Sequence, residues 1–334
     1  MKKYLLPPNG QFYKANLHCH TTCSDGELTP AETKALYQQH GYSVIAFTDH
    51  NVYLAHPELT DENFVALNGF ENNASEEQPG AFGERKTCHM CFVSLDENNM
   101  MHPFWHRSKY LFGNAPQYRD QVQFDESKPD YERVYTPECI NDMARLGQEN
   151  NFFVTYNHPR WSMEEYNNYI AYENIDAMEI CNYACVVAGY WDYNGEVYDE
   201  MLRAGKRIFC VSTDDNHGVE DACGGYTMIK ADRLTYQDIA ASLKAGNFYA
   251  STGPEIHDLW VEEGKVHITC SPASKIILST GIRHQGIVDA KREKVESVTE
   301  ATFELNENFG YFRITVLDKE GNAADTNAYF MDSL

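Results

Sequence analysis

Two histidines near the start of the chain have the spacing of a metal chelate. His18 and His20 stand two residues apart in the run NLHCH at 16–20. Side chains two residues apart on a strand point to the same face, so both imidazoles would lie within a few ångströms of each other. The following turn, TTCSDG, adds the carboxylate of Asp25. The pattern predicts metal ligands at a strand end.

Ligand-type side chains recur where other strand-like runs end. The segments FTDH, GFE, CHM, NHP and STDDNH each place histidine, aspartate or glutamate on or just after such a run. The residues that they add are His50, Glu71, His89, His158, Asp215 and His217. Mixed histidine and carboxylate ligands suit Zn, Mn or Fe better than Ca or Mg, which prefer oxygen. The sequence therefore predicts a transition-metal centre.

The elements that must position these residues alternate between strand and helix up to about residue 250, as in α/β proteins. Seven runs are predicted as strands: 13–20, 44–48, 64–71, 88–95, 152–157, 176–181 and 207–213. Helices are predicted at about 29–40, 137–149, 196–205 and 235–245 from their capping residues. This order predicts a parallel sheet closed or nearly closed into a barrel, with active residues at the carboxyl ends of its strands.

The segment at about 96–135 shows no sustained helix or strand period. Aromatic residues and prolines alternate there with charged residues. A connection this long is usually functional or disordered, and its aromatic content disfavours disorder. We expect a lid or substrate-specificity insertion, with a purely structural flap as the alternative.

The composition changes after the sequence STGP at 251–254. Alternating strand patterns and turn signals such as EG follow in close succession up to the last residue. Such spacing is typical of a small antiparallel β-sandwich. We therefore predict a barrel domain at 1–253 and a β-rich domain at 254–334.

The motifs LHCHTTCSDG, FTDHN, GFE, CHM, NHP and STDDNH occur in an order that resembles the PHP (polymerase and histidinol phosphatase) family of metal-dependent phosphoesterases. The resemblance covers roughly residues 13–253. It implies a distorted seven-stranded α/β barrel of PHP type followed by a short β-rich tail. It also implies the ligand sets, which are His18, His20, Glu71 and Asp215 for one ion, Asp25, His50 and His217 for a second, and Glu71, His89 and His158 for a third.

The same resemblance implies phosphoester hydrolysis by two or three divalent transition-metal ions, Zn, Mn or Fe, with a water or hydroxide bridging them. Such ions lower the pKa of the water, neutralise the phosphoryl oxygens and hold the nucleophile in line. The substrate would be a small phosphomonoester or a nucleotide-like phosphate. Asp49 and Asp214, each adjacent to a ligand, are expected to orient ligands rather than bind an ion.

A phosphate clamp is the remaining requirement. Arg160, two residues after His158, is the best-placed bidentate donor, and with Asp214 it is our predicted catalytic pair. Arg107 and Lys109 in the insertion are alternative phosphate contacts. The two histidines nearby, His102 and His106, could protonate a leaving group, but we expect them to belong to the flap.

Other functions remain open on the sequence. The same metals could serve hydrolysis of a cyclic amide or another carbon–nitrogen bond. Alternatively, a degenerate barrel would make this a binding or regulatory protein whose C-terminal β-domain recognises a glycan or a protein, although the complete set of nine ligands speaks against degeneracy. A polymerase-associated nuclease is disfavoured by the acidic composition.

Composition limits the partners. The 334 residues include 27 Lys and Arg against 50 Asp and Glu, a net charge of −23. This charge disfavours a long nucleic-acid groove, but bound cations can invert the local sign for a small phosphate ester. No apolar run is long enough to cross a membrane, and the N-terminal one is too short for a signal peptide. We therefore predict a cytoplasmic protein with reduced cysteines, whose oligomeric state the sequence does not indicate.

Overall fold

The computed structural model describes residues 2–77 and 82–334, which form an α/β protein with a large mixed sheet. The first strands are β1 (Lys3–Tyr4), β2 (Gln11–Asn16), β3 (Val44–Phe47), β4 (Val65–Ser75), β5 (Thr87–Ser94), β6 (Met101–His102), β7 (Gln123–Phe124), β8 (Phe152–Tyr156), β9 (Ala177–Asn182), β10 (Phe209–Thr213), β11 (Tyr226–Ala231) and β12 (Phe248–Ser251). The later strands are β13 (Ile256–Glu262), β14 (Lys265–Ala273), β15 (Lys275–Thr280), β16 (Gln285–Asp289), β17 (Val298–Glu304), β18 (Tyr311–Leu317), β19 (Ala323–Thr326) and β20 (Tyr329–Phe330). The helices are α1 (Pro30–Gln39), α2 (Pro137–Glu149), α3 (Tyr166–Tyr169), α4 (Tyr183–Val187), α5 (Gly195–Arg203), α6 (Tyr236–Ala245) and α7 (Ala290–Glu293).

Capping residues account for the helix bounds, and all four predicted helices are confirmed as α1, α2, α5 and α6. Thr29 and Glu32 form a capping box at the start of α1, and the Thr136 side chain accepts from the first turn of α2. Gly246 ends α6 with a φ of 72°, a left-handed conformation that glycine adopts without strain. None of the helices in the described ranges is long and apolar enough to cross a membrane.

Each of the seven predicted runs contains a strand, but the sheet is not wholly parallel. The strands β2, β3 and β4 run parallel to one another, as do β8, β9 and β10. Between these two blocks, β5 is antiparallel to both β4 and β8. The prediction of a parallel sheet is wrong at this strand, because the connection from Ser75 to Thr87 is too short for a crossover helix.

The predicted seven-stranded barrel, closed or nearly closed, is not confirmed either, because no closed sheet is found among the described residues. The strand order is β10-β9-β8-β5-β4-β3-β2-β11-β12-β19-β18-β15-β16, with β20 paired to β18. The end strand β10 packs beside β11 and β12, but no ladder joins them in the described part of the chain. The side chain of Asn327 takes up the backbone groups there: its Oδ1 accepts from Cys210 N at 3.0 Å, and its Nδ2 donates to the carbonyls of Gly246 and Phe248, each at 3.0 Å. The sheet is therefore open.

The sheet continues across the predicted boundary at residue 254. Strand β19 pairs with β12, with Thr326 opposite Tyr249 and Ala324 opposite Ser251. A second sheet, β1-β13-β14-β17, shares an apolar core with these strands, including Leu259, Ile268, Leu278, Phe312 and Ile314. The division into two domains stays a prediction.

The insertion at 96–135 is ordered and packs over the ends of β2 and β3. Its strands β6 and β7 pair with each other, and Trp105 and Val122 share an apolar cluster with Cys23 and Val52. The insertion therefore covers the same end of the sheet as the predicted ligands.

Candidate metal centre

The structure brings all nine predicted ligands together at one end of the sheet. His18 and His20 follow β2, His50 follows β3, and Glu71 lies on β4. Because β5 is antiparallel to its neighbours, its first residues, which include His89, lie at the same end as the carboxyl ends of the parallel strands. Of the remaining ligands, Asp25 lies in the loop after β2 and His158 follows β8. Asp215 and His217 follow β10.

Four ligand atoms converge most closely in a first group. His18 Nε2 and His20 Nε2 are 3.1 Å apart, and Asp215 Oδ1 lies 3.1 and 2.9 Å from them. The carboxylate of Glu71 lies 3.3 Å from His18 Nε2 and 3.4 Å from His20 Nε2. Ligand atoms about 2.0–2.1 Å from a tetrahedral ion stand about 3.3 Å apart. The spacing of these four side chains therefore fits one ion.

A second group is centred on Asp25. Its Oδ2 lies 3.4 Å from His217 Nε2 and 3.9 Å from His50 Nε2, while its Oδ1 lies 3.9 Å from His20 Nδ1. The His20 ring stacks on those of His50 and His217, at centroid distances of 4.2 and 4.4 Å. His20 Nδ1 is buried with no hydrogen-bond partner among the described residues. Because His20 already belongs to the first group through Nε2, the ligands left for a second ion are Asp25, His50 and His217.

Glu71 lies between the histidines of the remaining group. Its Oε2 is 3.0 Å from His50 Nδ1, and its Oε1 is 3.1 Å from His89 Nδ1 and 3.5 Å from His158 Nε2. His158 Nε2 is also 3.7 Å from Asp215 Oδ2. Since the carboxylate also borders the first group, Glu71 would lie within reach of ions held by either group. The ligand atoms of His50, Glu71 and His89 all lie within 4.8 Å of one another, so this group contains His50 where the predicted third set had His158.

The electrostatics of the cluster favour cation binding. Burial alone would raise the pKa of Glu71, but the surrounding His18, His89 and His50 hold that pKa well below its usual value. Burial likewise opposes protonation of His20, yet its hydrogen bonds to Asp215 and Glu71 raise its pKa to about 10. Both shifts favour opposite charges on Glu71 and His20, and a bound divalent ion would compete with the proton of His20.

Glu179 on β9 is a site residue that the sequence reasoning missed. It is fully buried, and its Oε1 lies 2.7 Å from His18 Nδ1 while also accepting from Thr213 Oγ1 at 2.6 Å. Its Oε2 accepts from the backbone N of His158 at 2.9 Å and from Asn182 Nδ2 at 3.0 Å. A carboxylate in this position fixes the orientation of a metal-binding imidazole. The one available signal was an acidic residue inside an otherwise apolar strand.

Asp49 and Asp214 hold backbone segments next to the cluster. Asp49 accepts from Thr21 N, Thr21 Oγ1 and Ser24 Oγ, each at 2.8 Å, and so fixes the loop that carries Asp25. Asp214 accepts from Tyr37 OH at 2.8 Å and from the backbone N–H groups of residues 223, 224 and 225. Burial raises the pKa of Asp214 to about 6 against these donors. Neither carboxylate belongs to the ligand groups given above.

The predicted cationic contacts lie elsewhere. Arg160 is exposed and does not line the cavity beside the ligands. Arg107 pairs with Asp130 at 2.6 Å and Lys109 with Glu132 at 2.8 Å. Both pairs lie within the insertion, so these two cations are already neutralised there. The role of Arg160 stays a prediction.

The two histidines of the insertion lie where a flap would place them. The His102 ring stacks on Phe70 at a centroid distance of 4.3 Å, and burial holds the pKa of His102 well below its usual value. His106 Nε2 lies 3.2 Å from Glu132 Oε1. Neither lines the cavity beside the ligands.

That cavity has a volume of about 190 Å³ and includes two aromatic residues that the sequence reasoning did not single out. Phe112 comes from the insertion, and Trp161 from the turn after β8. The lining residues are Asp25, His50, Glu71, Asn73, His89, Phe112, His158, Trp161, Asp215 and His217.

No protein-family model matches this chain, and no curated protein matches it. A two-domain protein from Bacteroides vulgatus ATCC 8482, which contains a predicted PHP-like metal-dependent phosphoesterase, has a similar solved structure (TM-score 0.45, 13% identity, 98% of this chain and 97% of that one covered). So has a candidate metal-dependent phosphoesterase from Bifidobacterium adolescentis ATCC 15703 (TM-score 0.40, 15% identity, 71% and 96% covered). An amidohydrolase from Chromobacterium violaceum, solved with bound sulfate and no metal, is similar as well (TM-score 0.39, 15% identity, 61% and 87% covered).

Proposed function

We propose that this protein is a metal-dependent phosphoesterase that hydrolyses a small phosphomonoester or a nucleotide-like phosphate. The observation that carries the proposal is the first ligand group, in which the Nε2 atoms of His18 and His20 lie 3.1 Å apart and carboxylate oxygens of Glu71 and Asp215 lie 2.9–3.4 Å from them. A second, partly exposed group adjoins it at Asp25 and extends the cluster toward solvent. All nine ligands are present, which argues against a degenerate barrel that only binds a glycan or a protein.

The nine side chains would hold two or three ions of Zn, Mn or Fe. When bound, such ions lower the pKa of a water and neutralise the phosphoryl oxygens. The chain itself supplies orientation. Glu179 fixes the His18 ring, and Asp49 fixes the loop that presents Asp25. Phe112 and Trp161 add aromatic surface to the cavity wall.

The bound ions would neutralise most of the negative charge of the phosphoryl group. No lysine or arginine is among the described residues that line the cavity. Arg160 would have to reach in from its exposed turn to act as a clamp. This same observation favours a second candidate, hydrolysis of a carbon–nitrogen bond such as that of a cyclic amide, because an uncharged substrate needs no cationic clamp.

A substrate panel separates the two candidates. Protein reconstituted with Zn, Mn or Fe would be assayed on nucleotides, sugar phosphates, histidinol phosphate and cyclic amides, with metal content measured on the same samples. We expect phosphate release that depends on bound metal. Turnover of cyclic amides alone would establish the second candidate, and a fully metal-loaded protein inactive on the whole panel would support the binding-protein alternative.

A further inference from the structure

We propose that the cavity selects esters with one phosphoryl group and a flat aromatic alcohol portion, which packs against Phe112 and Trp161. The inference rests on the proposed phosphoesterase function and adds a substrate class to it. Both aromatic side chains border the cavity that contains the ligands. They come from segments far apart in the sequence, so their convergence is a property of the fold.

Phe112 is held in place because the insertion packs on the loop after β2 that carries Asp25. Its ring lies 4.6 Å from that of His50, and 43% of its surface is exposed. The next residue, Gly113, has a φ of 58°, and a side chain there would collide with the carbonyl of Ser24. The backbone N of Asn114 donates to that carbonyl at 2.6 Å. The ring of Phe112 is thus fixed beside the ligands while part of it stays available to a substrate.

Trp161 approaches from the turn after β8. Its ring centroid lies 4.9 Å from that of His158 and 5.3 Å from that of His89, edge to face in both cases. The turn is closed by the backbone bond from Ser162 N to the His158 carbonyl at 3.1 Å. Phe112 therefore contacts His50, whereas Trp161 contacts His158 and His89. An aromatic group on the substrate would meet apolar surface on either side of the ions.

Charge and size narrow the substrate further. Two exposed carboxylates, those of Glu27 and Glu220, lie beside Gly218, which follows the ligand His217. A side-chain carbon placed on Gly218 would lie 3.2 Å from a carboxylate oxygen of each. Negative charge this close in sequence and space to a ligand-bearing loop disfavours polyphosphates and sugar bisphosphates. An apolar protein cavity of roughly 150 Å³ can hold benzene, so a cavity of about 190 Å³ that ions and a phosphoryl group would share limits the alcohol portion to a single ring at most.

The test compares benzyl phosphate with n-butyl phosphate, since both release an unactivated primary alcohol. We expect the metal-loaded protein to have a kcat/KM for the benzyl ester at least about 10-fold higher. Phe112→Ala and Trp161→Ala should each lower that benzyl-to-butyl ratio about 3- to 10-fold, mainly through KM, as expected for lost aromatic contacts. Phe112→Leu keeps the apolar volume and should lower the ratio less than Phe112→Ala does.

The matched control is Trp191→Ala, because Trp191 is 79% exposed and lies outside the cavity. This variant should keep the wild-type ratio. Hydrolysis of both esters without benzyl preference, or a ratio that neither aromatic substitution changes at full metal content, would overturn the inference and leave the phosphoesterase proposal intact. Failure to hydrolyse any phosphoester would instead contradict the proposed function.

Discussion

The Nδ1 atom of His18 lies 2.7 Å from Oε1 of the buried Glu179, while Nε2 of the same ring faces His20 and Asp215. The carboxylate thus holds the imidazole with one nitrogen directed at the ligand cluster. The contact joins β9 to the end of β2, so ligand geometry depends on a strand that supplies none of the nine predicted ligands.

Replacement of Glu179 by Gln should weaken metal binding about 10- to 100-fold, because the amide keeps the shape but loses the charge that orients His18. It should also cost about 1–3 kcal/mol in the free energy of unfolding, since two of the four donors now facing Glu179 would meet an NH₂ group. Competition with a chelator measures the affinity. The exposed Glu173→Gln is the control, and an unchanged affinity in Glu179→Gln would contradict this role.

The double variant His18→Ala, His20→Ala should lose about one ion per chain by elemental analysis. Both residues follow β2 and contribute little to the apolar core, so the secondary structure should persist in circular dichroism. If the variant unfolds cooperatively at the temperature where the wild type is folded, the ions are structural rather than catalytic.

Glu164 should make stability depend on pH. It is buried beneath Tyr135 and Tyr156, whose hydroxyl groups donate to it at 2.7 and 2.6 Å. Burial raises the pKa of Glu164 from 4.5 to about 7. Because this pKa is higher in the folded state, its contribution to stability is fully present below about pH 4.5 and is lost as the pH rises through 7.

Urea unfolding of wild type and Glu164→Gln at pH 5, 6, 7 and 8 measures this effect. As the pH rises, the difference in the free energy of unfolding should shift in favour of the Gln variant by up to about 3 kcal/mol. Parallel pH profiles for the two proteins would rule out titration of Glu164 in this range.

The C-terminal strands should be integral to stability through Arg313. Its guanidinium contacts Asp199 on α5 at 2.8 Å and Asp325 on β19 at 3.0 Å, and the side chain is buried. Arg313→Ala leaves both carboxylates unpaired and should cost about 3–5 kcal/mol in denaturant unfolding. The exposed pair of Arg233 with Asp238 is the control, and Arg233→Ala should cost at most about 1 kcal/mol. Equal costs would mean that the junction contributes little.

The nine clustered residues could be predicted because each lies in a short local motif that carries both the strand pattern and the ligand type. Glu179 could not, since a single glutamate in an apolar run has no spacing partner. Phe112 reaches the cavity only because residues 113 and 114 dock on Ser24, a contact between distant segments. Arg160 was selected by its closeness to His158 and its role stays a prediction, whereas its neighbour Trp161, which lines the cavity, carried no such signal.

The sheet was predicted less well than its strands. The direction of β5 follows from the short connection before it, a signal that the alternating pattern obscured. The open edge depends on Asn327, which lies far along the chain from Cys210 and Phe248, the residues whose backbone groups it bonds. Pairing between such distant residues is not encoded in any local window, so the continuation through β19 was not predicted, and the sequence could not decide between a closed and a nearly closed sheet.

We propose that the clustered ligands hold ions that hydrolyse phosphoesters. Phosphate release from a panel of small phosphomonoesters tests it most directly, using metal-stripped protein, protein reloaded with Zn, Mn or Fe, and the His18→Ala, His20→Ala variant. We predict turnover on the order of 1–100 s⁻¹ on the best ester after reloading, with at least about a 100-fold loss in the stripped and variant proteins. A reloaded protein with at least two ions per chain that releases no phosphate from any ester, or release that is indifferent to stripping, would contradict the claim.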